Sequence, residues 1–283
     1  MKRLKRLLFC LLAAAVLLSL PGIPAMAANP GMKVFLQGVH FDADPEPILE
    51  NNLTYVPLRA FMESLGVDFT IEWNEKQRRA DVSAPGLNLT VKEGAKYLTA
   101  NDRCLYLSGE AFLLNNRLMV PVRPLAKACG LEVLWDENTR DVRVEGKFSP
   151  ILCGQYFYDE TELYWLSRII YAEAGIEELD GQIAVGNVVL NRMARKYWPD
   201  SVYDVVFDDR CGIQFTPVAN GTVYRDPSPE AVVAAKIALE GTSVVEDSLF
   251  FVNESIADSR WFRESCTYVT TIGRHSFYTN DIA

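Results

Sequence analysis

The sequence predicts an α+β protein of two domains: a small domain built from a repeated strand-and-helix unit, then a mostly helical domain with a small β-sheet. Three observations lead to this prediction. They are an apolar leader, an internal repeat in the first half, and helical spacing of apolar residues in the second half. The predicted boundaries are residues 1–27 for a signal peptide, 32–146 for the repeat domain, 147–158 for a linker and 159–283 for the helical domain.

The leader has the three parts of a secretory signal peptide. Four basic residues come first, an apolar run from Leu7 to Leu20 follows, and Ala25-Met26-Ala27 is a small-residue cleavage site. The apolar run is shorter than the roughly 20 residues that a membrane span needs. We therefore predict cleavage after Ala27, no stable membrane insertion of the mature chain, and a secreted protein of the extracellular space or cell wall, with spore association left open.

Charge and cysteine content narrow the function further. Cleavage would remove four basic residues and no acidic ones, which takes the formal net charge from −9 to −13. A surface this acidic argues against nucleic acid as a partner and against simple electrostatic adhesion to anionic wall polymer. Five cysteines would remain, with spacings that fit no metal motif, and two histidines are too few for a zinc hydrolase. No metal or cofactor is expected, and the pairing of the cysteines stays open.

The first half contains an internal repeat. The segment NNLTYVPLRAFMESLG, residues 51–66, returns as NNRLMVPVRPLAKACG, residues 115–130. A tryptophan follows each glycine, Trp73 in the first unit and Trp135 in the second. The order of residues predicts, in each unit, a strand, a helix whose first turn contains the proline, a glycine after the helix end, and a pair of strands.

The repeated VPxR, LG and W pattern resembles the copper amine oxidase N-terminal-like domain, also called the stalk domain of secreted bacterial proteins. The resemblance covers about residues 32–146. It implies a wall-associated spacer or attachment module whose ligand is unknown. Because His40 is the only histidine in this half, we predict no copper site here.

Beyond residues 146–159 the spacing of apolar residues becomes helical. It predicts a first helix over residues 159–173, capped by Asp159, and a second, largely apolar helix over residues 182–196. Shorter helices are expected at residues 201–207 and from Ser228 to Gly241, and short strands at residues 249–252 and 268–272.

Glu173 occupies the predicted buried edge of the first of these helices. An apolar stripe at spacings of three and four residues leads to this carboxylate just before Gly175. Desolvation and the C-terminal end of a helix both raise a carboxyl pKa. An acid still protonated near neutral pH suits general-acid catalysis on a glycosidic oxygen. The alternative is a structural ion pair with Arg168 or Arg192.

Six blocks of the second half match one family. In order they are YAEA, GQIAV, VLNR, QFTPV, LFFVN, and TIG with the following His275 and Phe-Tyr pair. This half resembles the spore cortex-lytic enzyme (SleB-type) cell wall hydrolases. The resemblance implies a lysozyme-related helical fold, peptidoglycan glycan strands as the partner, and lytic transglycosylation between N-acetylmuramic acid and N-acetylglucosamine with Glu173 as the catalytic acid. A stalk-like domain replaces the family's usual peptidoglycan-binding module, so a role in germination does not follow.

Five further residues are candidates for substrate binding. An amide in the QFTPV block suits an N-acetyl group. An asparagine on the second helix either lines the groove or makes structural hydrogen bonds, and aromatic rings either stack on sugars or belong to the core. These candidates are Gln214, Asn191, Tyr171, Phe215 and Tyr278, with Tyr224 and Trp261 as further aromatic choices.

A lone acid suffices for lytic transglycosylation, because the muramyl 6-hydroxyl attacks its own anomeric carbon. A muramidase-type hydrolase would need a second carboxylate. Two other functions stay open, a thiol peptidase that pairs His275 with Cys211 or Cys266, and a non-catalytic wall-binding protein. The candidate second carboxylates are Asp180, Asp208, Asp209 and Asp226, none of them in a comparably apolar context.

Overall fold

The computed structural model describes residues 31–210, 212, 214–255 and 259–280. The predicted signal peptide lies outside these residues. Among the residues described, no helix is both long and apolar enough to cross a membrane. The architecture mixes α and β elements in two regions, of which the first is rich in sheet, as the sequence predicts. The relation of the second region to the lysozyme fold stays a prediction.

The N-terminal region consists of short strands around two short helices. Its helices are α1 (Leu58–Ser64) and α2 (Val122–Ala128). Its strands are β1 (Val34–Leu36), β2 (Val39–His40), β3 (Ile48–Glu50), β4 (Leu53–Pro57), β5 (Thr70–Asn74), β6 (Arg79–Ala84), β7 (Leu87–Lys92), β8 (Tyr97–Ala100), β9 (Arg103–Tyr106), β10 (Phe112–Leu114), β11 (Arg117–Pro121), β12 (Glu132–Asp136) and β13 (Asp141–Glu145).

Each repeat folds as strand, helix and strand pair, as predicted. Strands β4 and β11, one from each repeat, pair antiparallel at the centre of a four-stranded sheet of order β10-β11-β4-β3. Pro57 and Pro121 differ from the prediction, because each ends its strand as the N-cap residue and lies just before the helix. Gly66 and Gly130 follow the helix ends with φ of 66° and 72°, a conformation that a glycine adopts without strain.

The C-terminal region is built from helices and one three-stranded sheet of order β14-β16-β15. The second long helix begins and ends three residues before its predicted bounds, and a short helix lies within the predicted linker. Its elements are α3 (Gly154–Phe157), α4 (Glu160–Ala174), α5 (Leu179–Met193), α6 (Val202–Val206), α7 (Thr216–Asn220), a 3₁₀ turn (Thr222–Tyr224), α8 (Pro229–Leu239), β14 (Phe250–Val252), α9 (Arg260–Ser265), β15 (Thr267–Ile272) and β16 (His275–Thr279).

Helix α5 is buried between α4 and α8, as its apolar composition predicts. Gly186 allows the close packing, because a Cβ there would lie 2.9 Å from Cδ1 of Ile170 on α4 and 3.3 Å from Cβ of Ala238 on α8. Packing of α4 against α5 fixes the position of the C-terminal end of α4. That end carries Glu173.

The two regions are joined by a buried carboxylate, Glu240, at the end of α8. Arg103 of β9 donates from Nε and Nη2 to its two oxygens at 2.6 and 2.7 Å, and Lys127 and Tyr158 donate at 2.9 and 3.0 Å. Burial raises the pKa of Glu240, but these hydrogen bonds outweigh burial and hold it below its ordinary value. Cys104, also on β9, belongs to the hydrophobic core of the helical region. Strand β9 therefore contributes one residue to the helical core and another to a buried ion pair with the helical region.

Candidate active site

Glu173 is half-buried in the last turn of α4. The helix starts at the cap that the sequence predicts, because Oδ1 of Asp159 accepts from two backbone N–H groups of the first turn at 2.8 and 3.0 Å. It ends at Gly175, where a Cβ would lie 2.8 Å from the Tyr171 ring. Burial raises the pKa of Glu173 to about 7, and the positive charge of Arg192 opposes the shift. The direction agrees with the sequence-based expectation.

Neither arginine considered as a structural partner forms a salt bridge with Glu173 within the described chain. Nη2 of Arg168 donates instead to Oδ1 of Asp226 at 2.8 Å. Nε of Arg192 donates to the backbone oxygen of Leu249 at 2.8 Å. The carboxyl group of Glu173 is therefore not locked in its ionised form by a direct partner.

Arg192 belongs to the site, although sequence reasoning considered it only as an ion-pair partner. The residue is only 5% exposed, and its Nη1 atom has no hydrogen-bond partner among the residues described. Burial lowers the pKa of its guanidinium to about 10. The group packs against three aromatic rings, with centroid distances of 4.5, 5.1 and 5.5 Å to Trp198, Phe215 and Phe250. A buried donor without a partner can bind a ligand.

A cavity of about 630 Å³ opens beside Arg192. Asp208, Arg210, Gln214 and Asn280 contribute polar groups to its wall. The rest of the wall is aromatic, and the rings belong to Tyr197, Trp198, Phe250, Phe251, Trp261 and Phe262. Aromatic walls with a few polar groups suit sugar rings. Glu173 does not line this cavity, but it lies within electrostatic range of Arg192, which does.

Asp208 is the proposed second carboxylate that reaches the cavity. Its two oxygens accept from Nε and Nη2 of Arg210 at 2.8 and 2.9 Å, and this pairing holds the pKa of Asp208 below its ordinary value. Asp180 instead bonds to Lys96 at 2.7 Å. Arg192 therefore interacts with two carboxyl groups, Glu173 and Asp208, whose pKa values are moved in opposite directions.

Two of the predicted binding residues lie near the acid or line the cavity beside Arg192. Gln214 lines the cavity, and its Nε2 donates to the backbone oxygen of Gly212 at 2.9 Å. Tyr171 is half-buried against the helical core, two residues before Glu173. Trp261 also lines the cavity and is half exposed. Tyr224 is exposed, but it packs against Trp165 outside the cavity wall.

The asparagines of α5 have structural partners. Nδ2 of Asn191 donates to the backbone oxygens of Glu246 and Ser248 at 2.9 and 3.0 Å. The side chain of Asn187 donates to the backbone of Thr242 at 2.7 Å and accepts from that of Val244 at 3.0 Å. Both amides hold the loop after α8 onto α5, which is the structural alternative that the sequence left open.

Phe215 and Tyr278 correct the stacking hypothesis. Each ring is only 2% exposed, so neither presents an open face to a sugar. Phe215 lies in the helical core, and the hydroxyl of Tyr278 donates to Oε1 of Glu254 at 2.7 Å. The sequence indicates that aromatic residues lie near the site, but it does not show which of them tertiary neighbours bury. The open rings of the cavity come instead from Tyr197, Trp198 and Trp261.

Cys266, the described candidate for a thiol nucleophile, lacks the properties of an activated thiol. Burial raises the pKa of Cys266, whereas a nucleophilic cysteine needs a lowered one. No hydrogen bond within the described chain joins Cys266 to His275, and burial lowers the pKa of that histidine. Cys211 lies outside the described residues. In the described ranges, no group of three or more histidine, cysteine, aspartate or glutamate side chains could hold a metal ion.

Comparison with known protein families matches each half of the chain. Residues 176–278 match the Cell Wall Hydrolase family, and residues 35–144 match the Copper amine oxidase N-terminal domain. Both resemblances seen in the sequence are confirmed. The first match begins three residues after Glu173 and does not include it. The role of this glutamate is therefore inferred from the geometry and electrostatics of the site.

The curated relatives are spore cortex-lytic enzymes. That of Oceanobacillus iheyensis is 32% identical over 120 residues, which are 42% of each chain. That of Bacillus subtilis (strain 168) is 32% identical over 120 residues, 42% of this chain and 38% of the relative. The chain thus spans about two fifths of the length of these relatives.

Two solved structures are also similar over part of the chain. One is the catalytic domain of the germination-specific lytic transglycosylase SleB from Bacillus anthracis, with 29% identity and a TM-score of 0.40 over 46% of this chain and 100% of that one. The other is the catalytic domain of the Bacillus cereus SleB protein, with 30% identity and a TM-score of 0.39 over 43% and 92%.

Proposed function

We propose that this chain, which joins a cell wall hydrolase domain to a copper amine oxidase N-terminal-like domain, cleaves peptidoglycan glycan strands between N-acetylmuramic acid and N-acetylglucosamine. The observation that carries the proposal is the carboxyl group of Glu173, whose pKa burial raises to about 7 beside the buried Arg192 and its aromatic cavity. The relatives named spore cortex-lytic enzymes support the choice of substrate.

The proposed reaction is lytic transglycosylation with a single acid and base. Glu173 donates its proton to the glycosidic oxygen as the bond from that oxygen to the muramyl anomeric carbon breaks. The muramyl 6-hydroxyl oxygen then bonds to the anomeric carbon, and its proton passes to Glu173. The product is an anhydro-muramyl end, and no water is consumed. Because the nucleophile belongs to the substrate, its effective molarity is high and a second carboxylate is not required.

Arg192 would tune this acid rather than react. Burial alone would push the pKa of Glu173 further up, and the guanidinium charge limits the shift. The same charge would stabilise the carboxylate that remains after Glu173 has given up its proton. An acid with a pKa near the working pH is both protonated often enough and acidic enough to donate.

Hydrolysis with Asp208 is the second candidate, because this carboxylate shares the cavity and its pKa is lowered. An ionised carboxylate there could activate a water molecule. Both its oxygens, however, already accept from Arg210. That pairing favours a structural role for Asp208, so we place transglycosylation first.

Digestion of purified peptidoglycan in ¹⁸O-enriched water separates the two reactions. Transglycosylation predicts anhydro-muramyl ends, lighter by one water and free of ¹⁸O, and activity that survives the change Asp208→Asn. Hydrolysis predicts reducing muramyl ends that carry ¹⁸O, and loss of activity in that variant. Intact glycan strands after digestion with the folded protein would reject glycan cleavage altogether.

We further propose that the mature protein is exported and works in the cell wall, with the N-terminal domain holding the catalytic half near its substrate. The leader of residues 1–27 supports export. N-terminal sequencing of the protein recovered outside the cytoplasm should begin at Ala28.

A further inference from the structure

The two repeats of the N-terminal region form two equivalent cavities. Each combines a helix start and a strand pair from one repeat with a strand pair from the other. An arginine at the helix start, a tryptophan of the strand pair and a second arginine at its turn line both walls. These are Arg59, Trp73 and Arg78 in the first-repeat cavity, of about 480 Å³, and Arg123, Trp135 and Arg140 in the second-repeat cavity, of about 630 Å³.

In the first-repeat cavity, carboxylates of the protein itself already pair with the turn arginine and with the tryptophan. Arg78 forms an ion pair with Glu93 and has Glu75 3.8 Å away. The indole N–H of Trp73 donates to Glu75. An anionic ligand would meet carboxylates beside both the ring and the guanidinium group, so this cavity is poorly suited to bind one.

In the second-repeat cavity, the equivalent groups lack carboxylate partners. Within the described chain, Arg140 forms no salt bridge, and Arg123 bonds only to the backbone oxygen of Val133 at 3.2 Å. Trp135 makes no hydrogen bond through its indole N–H to any described residue. The acid on this wall, Glu240, is shared between Lys127 and Arg103. The cavity therefore has an excess of positive charge in a chain whose formal net charge is −9.

The helical region closes one side of the second-repeat cavity. Glu240, Gly241 and Thr242, which follow α8, line this side. The backbone oxygen of Thr242 accepts from Asn187 of α5, the helix that also carries Arg192. A ligand in the cavity would therefore contact both regions, on a wall hydrogen-bonded to an active-site helix.

We propose that the second-repeat cavity binds an anionic sugar unit of the cell wall. Arg123 and Arg140 take its carboxylate or phosphate through charge-assisted hydrogen bonds, and the face of the sugar lies on Trp135. The acidic surface of the protein opposes general adhesion to anionic polymers, so recognition depends on such a local groove. The cavity volume falls within the roughly 300–1,000 Å³ typical of ligand sites. The site is separate from Glu173 and stands whether or not Glu173 is catalytic.

Isothermal titration calorimetry on the chain from Ala28 to Ala283 tests this site, with Glu173→Gln added to prevent cleavage. The carboxylate probe is the disaccharide of N-acetylglucosamine and N-acetylmuramic acid, the phosphate probe is N-acetylglucosamine 1-phosphate, and the neutral probe is diacetylchitobiose. The test variant is Arg123→Gln with Arg140→Gln. The control is Arg59→Gln with Arg117→Gln, which removes the same charge from the first-repeat cavity.

Binding of at least one anionic probe should weaken at least tenfold in the test variant and less than twofold in the control. The probe that responds identifies the source of the charge. Binding of that probe to the protein with an unaltered cavity should also weaken as salt rises, and Trp135→Phe should weaken it without loss of fold. Equal losses in the two double variants, unchanged affinity in the test variant, or no binding of either anionic probe would overturn the proposal.

Discussion

Glu173 and Arg192 come from two helices that pack side by side, and each changes the charge state of the other. Burial disfavours the charged form of both groups, raising the pKa of the acid and lowering that of the arginine. Their mutual attraction limits both shifts. The outcome is an acid whose pKa of about 7 is close to neutral pH, as proton donation to a glycosidic oxygen requires.

The pH dependence of activity should follow this acid. Glu173 donates only when protonated, so kcat/KM should fall as pH rises past about 7. Replacing Arg192 by glutamine removes the charge that lowers the pKa of Glu173, and the alkaline limb should move to higher pH. Replacement by lysine keeps the charge and should leave the limb in place. An alkaline limb that stays the same in both variants would argue against this electrostatic link.

The free energy of unfolding should also depend on the protonation of Glu173. The pKa of Glu173 is about 7 in the folded state and ordinarily 4.5, so the folded state holds the proton more tightly. Its contribution to stability is complete below pH 4.5 and is lost as pH rises through 7. Glu173→Gln has no such loss, and should gain stability relative to wild type by at most about 3 kcal/mol between pH 5 and 8.

Urea unfolding at the two pH values measures this difference. The exposed Glu178→Gln should follow wild type at both. If the stability of Glu173→Gln had the same pH dependence as that of wild type, the carboxyl group would not be desolvated.

At the residue scale, the sequence predicted the carboxylate but not its surroundings. The apolar stripe of α4 is a local pattern, so it placed Glu173 at a buried edge. Arg192 contacts Trp198, Leu249 and Phe250, which come from three other segments. Spacing along one helix holds no information about such contacts, so the sequence indicates this arginine only as an ion-pair partner.

The repeated helices show how an element depends on its surroundings. Gly66 and Gly130 occupy the same position after α1 and α2, and both have positive φ. A Cβ at Gly66 would meet open space, whereas a Cβ at Gly130 would lie 1.8 Å from the backbone oxygen of Ser149. The second helix end is therefore packed under the segment that leads into the helical region.

Alanine at the two glycines should separate strain from packing. Gly66→Ala should cost about 1 kcal/mol, because a residue with a Cβ is strained at positive φ. Gly130→Ala bears the same strain and must also move the backbone at Ser149, so it should cost about 3 kcal/mol or more. Chemical denaturation of both variants gives the difference. Equal costs would mean that the segment at Ser149 moves away freely.

At the scale of the elements, strong local patterns in the sequence predict helices and strands correctly. The repeat predicted both strand–helix–strand pair units, and Asp159 predicted the start of α4. Helix α5 begins at Leu179 with no side-chain cap, so its start had no local marker and was predicted three residues late. Strand β16 was not predicted, because its residues are nearly all buried and lack the alternation that marks a half-buried strand.

At the scale of the whole molecule, the contact between the two regions has no local signal at all. Glu240 and Arg103 lie 137 residues apart in sequence, and each looks like an ordinary surface charge. In the structure both side chains are buried and bonded through two parallel hydrogen bonds. The segment predicted as a linker accordingly joins two packed regions rather than two independent ones.

The change Glu240→Gln should destabilise the whole molecule. It leaves the buried Arg103 without its counter-charge, which typically costs about 3–5 kcal/mol. Asp226→Asn removes the exposed partner of Arg168 and should cost less than about 1 kcal/mol. Because β9 packs into the helical core, unfolding in urea should remain a single transition in both variants. Equal stability of the two variants would show that the buried pair contributes little.

The role of Glu173 as the acid is tested most directly by the rate at which the folded protein releases soluble fragments from peptidoglycan. The rate of Glu173→Gln is compared with those of wild type and of the exposed control Glu178→Gln. The amide keeps the shape of the side chain but cannot donate a proton to the leaving oxygen. The rate should fall by at least about 100-fold in Glu173→Gln and stay within twofold of wild type in Glu178→Gln. A Glu173→Gln protein that keeps more than a tenth of the wild-type rate would contradict the assignment of Glu173 as the acid.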